Sequence, residues 1–415
     1  MREINSDRRA VITGIGVVSP IGIGVVDYWR NLMAGKCGIR KISQFNPESF
    51  PCQIAGEIQW RPEQYLNKRG VKHYSRATQF AVTAAGLALQ DSGLERLDPV
   101  DTAVITGTGA PAVEQIESQV LERRIDLATF EHERGQDPTT LIKGMISAPA
   151  SAIALTLGTR GHVETVSATC ASAFSAIGRA LERIQSGKED VVIAGGVDAP
   201  ITRIYMQALC ASRAIAFDYN DRPMEALRPF EKNRTRSVLA EGAGIFICES
   251  LGHARSRGAR IYCEIRSFSM GTENTNELFL IEKEGDRWSE IIRRAVGRAP
   301  IDLICAHGPG DKIIDRVENR ALLASLGKRA RRIPVTSTKG ATGSSFSAAG
   351  ALQLAAAAMT LETGVIPPTR NYIDPDPDCN LNVIARPLRS RPRSVLVNVH
   401  GLGGMNAAVV LKKAN

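Results

Sequence analysis

The chain has 415 residues, 43% hydrophobic and 23% charged, and 52 Lys and Arg against 43 Asp and Glu give it a net charge of +9. This composition excludes a disordered chain and suits two fused halves or one large layered enzyme. No apolar run is long enough for a membrane span, and the polar start "MREINSDRRAVITGIG" passes straight into a strand, so no signal peptide is expected.

Eight scattered cysteines without a CxxC pair indicate neither a zinc site nor a disulfide framework, so a reduced, cytoplasmic setting is expected. The positive charge fits an acidic partner. Nucleic acid is disfavoured, because there is no basic tail, no aromatic-basic interleaving and only 5% aromatic residues. An acidic carrier protein is the other candidate, and a simply solvated basic surface is the alternative to both.

Strands and Ala-rich helices alternate along the chain, which predicts an α/β fold. "RRAVITGIGVV" (8–18) reads as a buried strand. "ATQFAVTAAGLALQDSG" (77–93) reads as a helix stopped by Gly93. "TAVITGTG" (102–109) is a second strand and "DVVIAGGVDAP" (190–200) a third. Between them "VETVSATCASAFSAIG" (163–178) sets Cys170 among small residues, after a β-branched run and before a helical pattern. "GAGIFICESLGHARSRGA" (242–259) runs strand into helix.

The same grammar then repeats. "IDLICAHGPG" (301–310) is a strand and glycine turn, "SAAGALQLAAAAMTLETG" (347–364) an apolar helix, and "SVLVNVHGLGGMNAAVVLK" (394–412) two strands around a glycine-rich turn. We read a duplication, with halves 1–257 and 258–415. Helices this rich in Ala and Gly can be enclosed on all sides, which predicts a helix layer between two sheets.

Four stretches carry the chemistry. Cys170 stands at a strand-to-helix turn, and His307 follows a strand in "AHGPG". Lys339 and Ser344 precede an apolar helix in "STKGATGSSFSAAG". His400 lies in "NVHGLGGMNA", read as a turn where Gly401, Gly403 and Gly404 let backbone approach a ligand.

Together these stretches resemble the β-ketoacyl-acyl-carrier-protein synthases, the elongating ketosynthases of the thiolase-like superfamily. "AVITGIGVVSPIG", "VSATCAS", "AGGVDAPIT", "EALRPFEKNRTRSVLAEGAG", "AHGPGDKIIDRVE", "STKGATGSS" and "NVHGLGGMNA" follow the family's order over nearly the whole chain.

The resemblance implies a five-layer α-β-α-β-α fold from two duplicated halves. It implies that Cys170 takes an acyl chain as a thioester, its thiolate favoured by the helix start. A carrier-bound malonyl unit would then lose carbon dioxide and attack. His307 would hold the enolate, Lys339 would lie beside it, and Glu318 would pair with Lys339. The amides of Cys170 and His400 would meet the oxyanion.

An acyl carrier protein is the implied partner, its phosphopantetheine arm arriving with the substrate, so no cofactor or metal is expected. A homodimer or a heterodimer with a related ketosynthase-like subunit is expected, with no nucleic acid and no membrane. A basic patch of Lys68, Arg69, Lys72, Arg76, Arg123 and Arg124 would dock the carrier.

The chain departs from the family at named positions. Ser344 stands where the family has its second histidine, and His400 where a phenylalanine gates the acyl pocket is expected. Pro309 and Asp311 replace two threonines that hold the pantetheine arm, and Arg236 and Ser237 replace a glycine and a phenylalanine. His400 is read as a partial substitute for the lost donor or as a base for another step. Three functions follow: decarboxylative condensation in a specialised polyketide or fatty-acyl pathway, acyl transfer or cyclisation without decarboxylation, and a non-catalytic partner of the chain-length-factor type.

Overall fold

The computed structural model describes residues 6–110, 112–121, 138–273, 275, 277 and 281–414. In the first half, strand β1 (Ala10–Ser19) is followed by helices α1 (Lys68–His73) and α2 (Arg76–Ser92), β2 (Thr102–Gly107) and α3 (Ala148–Leu157). Then come β3 (Val163–Val166), α4 (Ser172–Gln185), β4 (Val191–Asp198) and β5 (Gly242–Ser250). The second half contains β6 (Cys263–Thr272), α5 (Asp286–Val296), β7 (Leu303–Cys305), α6 (Lys312–Leu326) and β8 (Pro334–Thr336). It ends with α7 (Lys339–Thr342), α8 (Ser347–Thr363), β9 (Asn382–Val383), β10 (Ser394–Gly401) and β11 (Met405–Lys412).

The predicted strand and helix starts agree with these bounds to within a few residues. Gly93 does end α2, in the left-handed conformation (φ 62°) that glycine adopts without a Cβ clash.

These strands form one ladder in the order β9-β8-β7-β10-β11-β6-β1-β5-β4-β2-β3. Each half has the same pattern. Parallel pairs β3–β2–β4 lead to antiparallel β5 and β1, and parallel β9–β8–β7–β10 lead to antiparallel β11 and β6. The halves meet where β1 pairs β6 over three residues, from Ala10 opposite Ile265 to Ile12 opposite Cys263.

Helices α4 and α8 lie between the half-sheets and touch strands of both. That position explains their sequences. Every residue of α8 from Ser347 to Leu361 is buried, so the helix has no polar face to present. Where α4 meets β6, a Cβ on Gly178 would fall 2.3 Å from the Phe268 ring, so only glycine allows this approach. Helices α2 and α3 cover the first half-sheet on its outer side, and α5 covers the second with α6 packed on it. The result is the five-layer α-β-α-β-α arrangement of the thiolase-like fold. Among the described residues, no helix is long and apolar enough to cross a membrane.

Candidate active site

Cys170 sits in a single 3-10 turn, Thr169–Ala171, that leads directly into α4. Thr169 adopts φ 49°, an outlier for a β-branched residue that costs about 1–3 kcal/mol. The surroundings hold it there. Its Oγ1 donates to the Leu402 carbonyl at 3.1 Å. Ser172 Oγ accepts from the Ala168 amide at 2.8 Å and lies 2.7 Å from the Thr169 carbonyl. The glycine turn after β10 packs under this elbow. A Cβ on Gly401 would lie 2.2 Å from Thr169 Oγ1, so the approach requires glycine.

The backbone amide that points at the Cys170 sulfur, besides its own, is that of Leu402. This corrects the expected oxyanion pair. His400 is the penultimate residue of β10, in register with Asn406 of β11, so the turn begins two residues later than expected. The thiol also differs from expectation. Burial pushes Cys170 up to about 11, and the nearby Lys339 charge opposes this only in part. The resting group is therefore a thiol at neutral pH.

Cys170, His307, Pro309, Ser344 and His400 line one cavity of about 130 Å³, closed by apolar side chains that include Ile215, Phe346 and Leu402. His307 is anchored from both sides. Its amide and that of Gly308 donate to the two oxygens of Glu318, at 2.7 and 2.8 Å. Lys339 Nζ contacts the His307 carbonyl, His307 Nδ1 at 3.1 Å and Gln353 Oε1 at 3.3 Å.

The expected Lys339–Glu318 pair therefore does not form. The lysine spends its donors on His307 and Gln353, the glutamate spends its acceptors on backbone, and their charges act only through space. Burial brings Lys339 down to about 8 and holds His307 well below the usual histidine range. An ammonium can only donate, so His307 Nδ1 accepts and the neutral ring carries its proton on Nε2.

His400 is held in the opposite sense. Its Nδ1 lies 3.0 Å from Asn406 Oδ1 and 3.3 Å from Glu273 Oε1, and Asn406 Nδ2 donates to Glu273 Oε1 at 2.9 Å. Burial alone would raise Glu273, but its hydrogen bonds to His400 and Asn406 keep it below the usual carboxylate range. A carboxylate can only accept, so Nδ1 of His400 carries a proton. The fully buried Trp288 packs against both imidazoles, with ring centres 6.2 Å from His307 and 5.3 Å from His400. The two imidazole centres are 6.4 Å apart.

Other expected residues divide. Ser237 and Asp311 also line the cavity. The Asp311 carboxylate is already used, however, accepting the amides of Ile313 and Ile314 at 2.9 and 3.0 Å as the cap of α6. Arg236 does not line the cavity; its guanidinium stacks over Phe217 at 4.9 Å. Gly401 serves the elbow rather than the cavity wall.

Among the docking candidates, Lys68, Arg69 and Lys72 are exposed, while Arg123 and Arg124 lie outside the described residues. Arg76 is a correction. It is bound at 2.6 and 2.7 Å to the fully buried Glu241 and serves the interior. We expect Arg76→Ala to cost about 3 kcal/mol in a denaturant titration, because it strands a buried carboxylate. An unchanged midpoint would refute this.

The sequence reading missed Glu273, Asn406, Trp288, Gln353 and Leu402. Asn406 could have been found, since folding "NVHGLGGMNA" as a hairpin sets it opposite His400. Glu273 had no local signal, because its position depends on the β6–β11 register.

A strained cysteine elbow at a helix start, facing a lysine-held histidine across two duplicated half-sheets, defines a thiolase-like protein with a candidate acyl-transfer site. Comparison with known proteins narrows the class. Residues 7–254 match the N-terminal domain of beta-ketoacyl synthases and residues 262–373 their C-terminal domain. The chain belongs to the beta-ketoacyl synthase family.

It is 36% identical to the tetracenomycin polyketide synthase ketoacyl synthase alpha subunit of Streptomyces glaucescens, over 99% of this chain and 98% of that one. It is 33% identical to the 3-oxoacyl-[acyl-carrier-protein] synthase 2 of Synechocystis sp., over 98% of each. Among solved structures it is similar to the ishigamide ketosynthase/chain length factor (TM-score 0.89, 32% identity, covering 98% of this chain and 100% of that one). It is also similar to a type II PKS acyl-carrier protein in complex with its ketosynthase bound to the hexaketide (TM-score 0.88, 28% identity, 98% and 100%).

Proposed function

We propose that this chain is a polyketide ketosynthase. It takes an acyl chain from an acyl carrier protein onto Cys170 and condenses it with a carrier-bound malonyl-type extender. One observation carries the reading. The Cys170 elbow, with its own and the Leu402 amide beside the sulfur, opens onto the same cavity as His307, which Lys339 holds as an Nε2–H donor. The amides suit the oxyanion of acyl transfer and the imidazole N–H suits an enolate oxygen.

A second subunit is part of this reading. Leu141, Ile142 and Leu155 are 73, 60 and 79% exposed, and among the described residues β3 is an edge of the sheet. Such surfaces are usually covered by a partner. The eight free thiols fit a reduced, cytoplasmic setting.

Acyl transfer without decarboxylation is the second reading. Ser344 favours it, because a hydroxyl replaces one of the two expected histidine donors in the cavity. Intact mass spectrometry with an acyl carrier protein and a malonyl carrier separates the readings. Condensation gives a Cys170 adduct followed by an elongated carrier product. An adduct with no loss of carbon from the malonyl unit leaves acyl transfer alone. No adduct at all sinks both and leaves the partner-subunit function.

A further inference from the structure

The two imidazoles of the cavity present opposite chemistry. His307 accepts at Nδ1 from Lys339 and offers an N–H at Nε2. His400 donates at Nδ1 to Asn406 and Glu273, which leaves Nε2 as its second functional atom. The hydrogen bonds of both rings run through Nδ1, and both rings line the cavity with Cys170. One cavity therefore holds two imidazoles, one oriented by a lysine and the other by a carboxylate, with ring centres 6.4 Å apart.

We propose that Glu273, with Asn406, holds His400 as a general base, and that this base gives the protein a second activity: hydrolytic release of the acyl group from Cys170. The proposal rests on the acyl-Cys170 intermediate of the preceding reading. In the step, a water O–H is deprotonated by His400 Nε2 while its oxygen bonds to the thioester carbonyl carbon. The oxyanion is met by the amides of Cys170 and Leu402. Collapse breaks the C–S bond, and His400 returns the proton to the departing sulfur. The products are a carboxylic acid and the free thiol, and no oxidant or reductant is needed.

Three observations favour a base here. The arrangement is nucleophile, imidazole and carboxylate orienter, the general pattern of activated acyl transfer. The resting Cys170 is a thiol, so its own acylation also needs a proton acceptor in the cavity. Asp311, the carboxylate that lines the cavity, is tied up capping α6. The groups that face His400 are Glu273 at the end of β6, Asn406 on β11, Trp288 on α5 and His307 after β7, with Lys339 behind His307. Glu273 is the one carboxylate in that set.

Glu273 is a positioning residue, and His400 acts on the nucleophile. The test loads the full-length protein with a small synthetic acyl thioester, acetyl-N-acetylcysteamine. Adduct formation and its decay are followed separately by intact mass spectrometry across pH 6–9. We expect decay in His400→Phe to slow by roughly 10²–10⁴-fold, the usual worth of a general base. Glu273→Gln keeps an acceptor but loses the charge. It should slow decay less than His400→Phe does and reduce the solvent deuterium isotope effect on decay, because a poorly oriented base takes less part in the proton transfer. A purely structural Glu273 would slow decay with that isotope effect unchanged.

The adduct also reports folding, since a variant that loads has an intact elbow. Equal lifetimes in wild type and both variants overturn the hydrolytic proposal alone. Failure of the wild type to load overturns it together with the condensation reading.

Discussion

Cys170→Ala is expected to abolish the acyl adduct and to lower turnover by on the order of 10⁶-fold, the scale seen when a catalytic unit loses its nucleophile. No neighbour can take over. Cys37 and Cys210 are the less buried of the other thiols, and neither lines the cavity. The wild-type pH dependence is fixed in sign by two groups. Burial raises Cys170 to about 11, so the thiolate fraction grows about tenfold per pH unit through the neutral range. Lys339, lowered to about 8, loses its proton over the same range and with it the charge that favours the thiolate and fixes the His307 tautomer. Loading should therefore climb up to about pH 8 and flatten above it. An alanine variant that still shows the adduct would move the nucleophile elsewhere.

Much of this site could be read in the sequence, and the division has a physical cause. Cys170, His307 and Lys339 lie at strand ends or helix starts, where small residues and glycines punctuate the pattern and where local chain direction decides position. The Ala-rich α8 likewise announced its burial between two layers. What escaped depends on partners distant in sequence. Glu318 was expected on Lys339 but accepts backbone amides, because the turn after β7 exposes two N–H groups that need acceptors. Arg76 looked like part of a basic surface, yet its partner is Glu241, 165 residues away. Thiolate stabilisation by the helix start was overestimated, because the same fold that places the helix also removes water from the sulfur. Glu273 reaches His400 only through the pairing of β6 with β11.

The tautomers sharpen what the loss of the second histidine means. In the role of base His400 presents a lone pair, so it does not replace a donor to an enolate oxygen. The donor deficit then falls on Ser344, which lines the cavity, half-buried, in the segment between α7 and α8. Its backbone is fixed independently of its side chain. The amide donates to the Val238 carbonyl at 2.8 Å, and the carbonyl accepts from the Ala240 amide at 2.9 Å. Ser344→His therefore adds an imidazole to the cavity on a backbone that is already held.

We expect malonyl decarboxylation to rise by roughly 10²–10³-fold, the reverse of removing one such donor. The assay is carbon dioxide release from a malonyl carrier with Cys170 already acylated. The double variant Ser344→His with His400→Phe decides how the gain arises. A gain that persists there comes from the new donor alone. A gain that vanishes shows that His400 shares the enolate after all, as an imidazolium beside Glu273, and the base assignment would have to yield to it.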